Sequence, residues 1–148
     1  MTVLMHTTPM RATAHPTVPS AAHDLIAGAQ RSLAEAIVAA TPAERYACAH
    51  LSALRAAAAV LAARGRPSSR RSRVRSVWAV LPQVAPEFAE WAAFFAAGAR
   101  TRAAAEAGID CVSVREADDL VRDADAFLAR VTGSLGLPHQ SMLLAARG

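Results

Sequence analysis

Residues 41–65, TPAERYACAHLSALRAAAAVLAARG, spell out both ends of one helix. Thr41 is a favoured N-cap, and Pro42 at the first helical position has a preset φ and no amide to leave unpaired. Glu44 stands where a capping box places its carboxylate. Gly65 supplies the left-handed residue that closes many helices. Between these ends alanine dominates, with the highest helix propensity and no side-chain entropy to lose. The rest of the chain follows suit: more than half of its 148 residues are apolar, and β-branched residues never alternate over a strand's length. This length supports one domain with a real core. The alanine content predicts closely packed helices and a thin core anchored by Trp78, Phe88, Trp91, Phe94, Phe95 and Phe127.

Three further long helices follow from spacing. The first spans about Ser20 to Ala40, with Ser20 as its cap and Leu25, Ala29, Leu33, Ala36 and Ile37 on one stripe. Another runs from Pro86 to Gly108, where Phe88, Trp91, Ala92, Phe95, Ala99 and Arg102 share a face. Phe94 widens that apolar arc, as expected where a second contact surface such as a homodimer interface exists. The last begins with a second capping box at Ser113 to Glu116 and ends near Gly133 or Gly136. A short helix around Val74 to Leu81 carries Trp78. The fold class is therefore all-α: an up-and-down four-helix bundle with one extra short helix. Residues 1–19, with three prolines and no continuous apolar run, read as a disordered leader, residues 20–136 as the bundle, and residues 137–148 as a flexible C-terminal tail. The leader is neither a signal peptide nor a membrane span. Cys48 and Cys111 have no motif spacing and read as reduced thiols of a cytoplasmic protein without membrane contact.

The chemistry-bearing residues are few. Arg45 and His50 are the ionisable pair that a metal-independent ribonuclease would need: histidine as acid or base near neutrality, arginine to hold a charged phosphorane. Their spacing is awkward. Five residues at ~100° each leave the side chains about 140° apart around one helix. His50 then lies on the apolar face with Leu51, Leu54 and Leu61, and Arg45 lies nearly opposite Leu54. The two could share a phosphate only through an irregular first turn or across a dimer. Tyr46, four residues before His50, falls on the same side and could orient the imidazole. Otherwise His50 is an inward histidine and Arg45 a surface residue.

Residues 64–75, RGRPSSRRSRVR, place six arginines in twelve residues without a carboxylate. Arg66, Arg70, Arg71, Arg73 and Arg75 would attract a phosphate backbone, so RNA is a candidate partner. They could equally form a solvated linker, since all sixteen basic residues of the chain are arginine. A net charge of +4 permits nucleic-acid binding without demanding it. The acidic run after Arg115 reads as a wet face on which Arg115–Asp119 and Asp118–Arg122 neutralise each other. Five histidines lack zinc spacing, and no Gly-rich phosphate loop is present, so neither a metal nor a cofactor is expected.

The stretches ERYACAHLSALRAAAAVLAAR, SVWAVLPQVAPEFAEWAAFF and VSVREADDLVRDADAFL together resemble an actinobacterial branch of the HEPN domains, over roughly Leu25 to Gly136. The resemblance implies a four-helix core, homodimerisation and a link to RNA. Many members are metal-independent endoribonucleases of toxin–antitoxin or defence systems, and others bind RNA or a partner without catalysis. A separate nucleotidyltransferase or antitoxin is the protein partner it implies. The family motif, an arginine, four to six residues, then a histidine, is matched by Arg45 to His50. The family usually carries that motif near the start of the last core helix. Here that place holds Arg115-Glu-Ala-Asp-Asp-Leu-Val-Arg122, with no histidine. The resemblance therefore points first to a non-catalytic RNA-associated or partner-binding module, then to a ribonuclease, and third to a purely protein-binding scaffold.

Overall fold

The computed structural model describes residues 17–65 and 76–145, all helix and connecting loop. Helix α1 (Ser20–Val38) runs to a tight turn, and α2 (Pro42–Arg64) returns alongside it. A short α3 (Val77–Val84) and a 3-10 turn (Pro86–Phe88) lead into α4 (Ala89–Ala97) and α5 (Ala99–Glu106), of which α5 packs on α2. The last long helix, α6 (Val114–Ser134), descends again, and α7 (Met142–Ala145) follows it. The result is an up-and-down bundle of four helical columns, with α4 and α5 together forming the third.

Local signals account for most ends. Thr41 Oγ1 accepts from the Glu44 amide at 3.2 Å. Among the described residues only this forward half of the first box forms, whereas Ser113 and Glu116 form both halves of theirs at 3.1 and 3.0 Å. Gly65, at φ +85°, closes α2 with its N–H on the Leu61 carbonyl at 3.0 Å. Ser20 is not the cap of α1. It occupies the first helical position, while the Pro19 carbonyl accepts from Ala22 and His23. The short helix starts later than expected, at Val77, because Ser76 caps it.

The α1–α2 seam is built from small side chains. Ala22, Ile26, Ala29, Leu33 and Ala36 line α1 at alternating spacings of four and three, and Ala49, Ser52, Ala56 and Ala59 line α2 at three and four, all buried. Such a seam brings backbones within reach of side chains. Ser52 Oγ donates to the Ala29 carbonyl at 2.7 Å, and Arg55 donates to Ser32 at 2.6 Å and to the Gly28 carbonyl at 3.3 Å. A Cβ on Gly28 would press to 3.3 Å from Arg55 Cδ. By length and composition α2 is apolar enough to cross a membrane, yet it is the central helix, packed against α1, α3, α5 and α6.

The opposite side of the core is aromatic. Trp78, Phe88, Trp91, Phe95 and Phe127 form one cluster with ring centroids 5.1–6.1 Å apart. Phe95 and Phe127 are wholly enclosed, Trp91 only partly, and Phe94 is 47% exposed. Phe94 therefore leaves the list of core anchors. Beyond residue 136, in the segment expected as a tail, Leu137, Met142 and Leu143 pack on the core, and Ser141 Oγ donates to buried Asp125 at 2.9 Å.

The third column differs from the single helix expected between Pro86 and Gly108. It breaks at Gly98, where the Phe95 carbonyl accepts from the Gly98 amide at 3.1 Å, one residue short of the α-helical register. The same carbonyl receives His50 Nε2 at 2.8 Å.

Candidate functional site

Arg45 and His50 leave the first turns of α2 in different directions and bind different elements. Arg45 reaches α6, where its guanidinium meets Asp118 at 2.5 Å, and a second nitrogen donates to the Ala39 carbonyl just past α1, at 3.3 Å. It thus staples α1, α2 and α6. The Ala39 carbonyl lies at the negative end of α1, where a cation is stabilising. Asp118 was expected to pair with Arg122, and Arg115 with Asp119; instead Arg45 takes Asp118 and Arg122 pairs with Asp119. A tertiary partner that ties three elements has displaced a local helix pair.

His50 is fully buried. A carbonyl only accepts, so the bond to Phe95 requires the proton on Nε2. Nδ1 then carries a lone pair, buried and without a hydrogen-bond partner. Tyr46 stacks on the imidazole at 6.4 Å, and Trp78 and Phe95 meet it edge-on, each at 5.9 Å. Burial is the main cause holding the His50 pKa below its ordinary value, with nearby Arg102 adding to it and the Phe95 carbonyl opposing. The imidazole is therefore neutral at neutral pH, a donor to backbone inside an aromatic cage.

Tyr46 faces a cleft. Its hydroxyl occupies the space that Gly98 leaves open: a Cβ there would come to 2.7 Å from Tyr46 Oη. Burial, chiefly, raises the tyrosine pKa, and a hydrogen bond with Thr101 opposes. Tyr46, Phe94, Thr101 and Leu120 line two adjoining depressions, of 260 and 400 Å³, between α2, the α4–α5 column and α6. His50 and Phe95 lie under the smaller one. The larger one is bordered by Cys111 and by Glu116, Asp119 and Asp123 of α6. Burial raises the Asp123 pKa first, Asp119 raises it further, and Arg122 partly offsets them. Arg45 does not line either depression.

The structure thus brings Tyr46 and His50 together and sends Arg45 to a different neighbour. Arg66, Arg70, Arg71, Arg73 and Arg75 lie outside the described residues. Arg64, at the end of α2, pairs with Glu87 at 2.5 Å. Among the described residues no three His, Cys, Asp or Glu side chains are grouped to hold a metal ion. The cleft was missed from sequence, although Glu116, Asp119 and Asp123 share one helix face by spacing. What that face looks onto depends on the break at Gly98, and a glycine inside a helical pattern was the signal available.

A family model described as SAV_6107-like HEPN matches residues 36–132, which include α2 to α5 whole and most of α6. No curated protein and no solved structure matches the chain.

Proposed function

Since the chain belongs to the SAV_6107-like HEPN family, we propose that it is a non-catalytic member, a helical module that binds a partner protein. The observation that carries this reading is the disposition of its one Arg–His string. His50 is sealed in an aromatic cage with its proton on the Phe95 carbonyl. Arg45 is held by Asp118 and the Ala39 carbonyl. A ribonuclease needs its acid–base group within hydrogen-bond reach of the reacting hydroxyl and its cation free to meet the phosphorane. Neither condition fits these positions. A separately encoded nucleotidyltransferase or antitoxin is the class of partner that the family resemblance suggests.

The test is direct. Purified chain incubated with single-stranded and hairpin RNA, with and without EDTA, is expected to leave both intact. Products ending in a 2′,3′-cyclic phosphate, lost in both Arg45→Lys and His50→Gln variants that keep the wild-type circular dichroism, would overturn the reading.

A second reading, RNA association, has its own support in the arginine run of residues 64–75. Affinity from such a run falls steeply as salt rises. Serine at Arg70, Arg71, Arg73 and Arg75 should abolish RNA retention, and a response flat in salt would remove this reading.

A further inference from the structure

The cleft beside Tyr46 has an acidic wall that the fold neutralises only in part. Its α6 wall presents Glu116, Asp119 and Asp123 at spacings of three and four, all on one side of the helix. The Ser113 amide donates to Glu116 and Arg122 pairs with Asp119, which leaves Asp123, and no arginine is among the residues that line the cleft. Nearby guanidiniums are committed elsewhere, Arg45 to Asp118 and Arg102 toward Glu106. Asp123 records the result: desolvation and the neighbouring Asp119 both disfavour its charge. Facing this wall are Tyr46, Phe94 and Thr101. Phe94 is 47% exposed, and Leu120, on α6 between Glu116 and Asp123, adds an apolar patch to the wall itself. An exposed large aromatic beside the partly desolvated Asp123 is a costly arrangement for a free surface and a favourable one for a complementary ligand.

We infer that this cleft docks a basic segment of another protein, one that sets an arginine or lysine against Asp119 and Asp123 and a bulky apolar side chain on Phe94 and Leu120. The charge decides the class of partner. Phosphates would be repelled by Asp123 and by the acidic face around it, whereas a guanidinium pairs bidentately with a carboxylate. The volume, 400 Å³, accommodates one or two side chains and no folded element. This inference rests on the reading of the chain as a protein-binding module and names the chemistry of what it binds.

The experiment is selection of a random dodecapeptide library on the purified full-length chain, followed by titration of the winning peptides. Winners are expected to pair arginine or lysine with Leu, Ile, Phe or Trp. Their affinity should fall at least roughly tenfold, as truncating a buried charge pair does, for the double variant Asp119→Asn, Asp123→Asn and separately for Phe94→Ser. The control Asp24→Asn, an exposed position on α1 outside the cleft, should leave it unchanged. The inference is overturned by winners that are acidic or purely apolar, by winners indifferent to the cleft variants, or by no winners at all. It is also overturned if the chain self-associates and the cleft variants render it monomeric, which would assign the cleft to a second copy. Cleaved RNA in the nuclease assay would sink the non-catalytic reading while leaving these titrations as they are, so the two failures remain distinct.

Discussion

On the side of α2 that meets α1, the buried residues are Ala49, Ser52, Ala56 and Ala59; on its other side, His50 meets Trp78 and Phe95, whose rings continue into Phe127. The alanine side gains little from any one side chain. Its gain is proximity, which lets Ser52 and Arg55 bond to carbonyls of the neighbouring helix. The aromatic side is filled by a few large rings, each burying far more apolar area than a methyl group. One seam therefore fails when something is added and the other when something is removed.

That contrast can be broken from the aromatic side first. Phe127 is fully enclosed and touches the rings of Trp78, Phe88, Trp91 and Phe95. Phe127→Ala should cost about 3–5 kcal/mol, the transfer term plus the cavity left among rings that cannot collapse. Urea denaturation followed by circular dichroism measures it, and a loss under about 1 kcal/mol would mean the cluster is not the anchor. The reverse change on the other side is Ala56→Leu. Leucine raises apolar content and keeps helix propensity, yet at a wholly buried alanine on the Ser52 face it should destabilise by about 1–3 kcal/mol through overpacking. A neutral or stabilising result would show that the seam has room, and that its alanines are compositional.

The two sides also differ in how much the sequence disclosed. The helix caps are local: Thr41, Ser113 and Gly65 act within four residues. These were legible, as was the inward face of His50. The α2 side of the seam was not, because spacing set the larger Leu51 and Leu54 inward, whereas they are only partly buried and Ala49, Ser52, Ala56 and Ala59 are buried instead. The break at Gly98 was not, because it turns on a carbonyl shared with His50, 45 residues earlier. Nor was the partner of Arg45, which lies 73 residues away on α6 and replaces the local pair that spacing favoured. The acidic wall of the cleft could be read as one face, but its aromatic counterpart is brought there by the third column. Sequence patterns revealed what each helix does to itself; the site lies where helices answer one another.

The smallest effect lies at the residue joining the aromatic side to α2, and it is one of pH. His50 has a folded-state pKa held below its ordinary 6.5, mainly by burial. Above about pH 6.5 it is neutral folded and unfolded, and its contribution is fully present. As pH falls below that value the unfolded chain takes a proton that the buried imidazole resists, so the unfolded state binds more protons and stability declines. The decline continues until the pH passes the folded-state pKa, with a slope of at most about 1.4 kcal/mol per pH unit for a single group. The chain carries five histidines, so the measurement is a difference: urea midpoints at pH 7.5, 6.5 and 5.5 for wild type and for His50→Gln, which keeps a donor for the Phe95 carbonyl. The wild type should lose more stability over this range than the variant. Parallel curves would place His50 in contact with water, and with it would go the cage that separates the aromatic side of α2 from a reactive one.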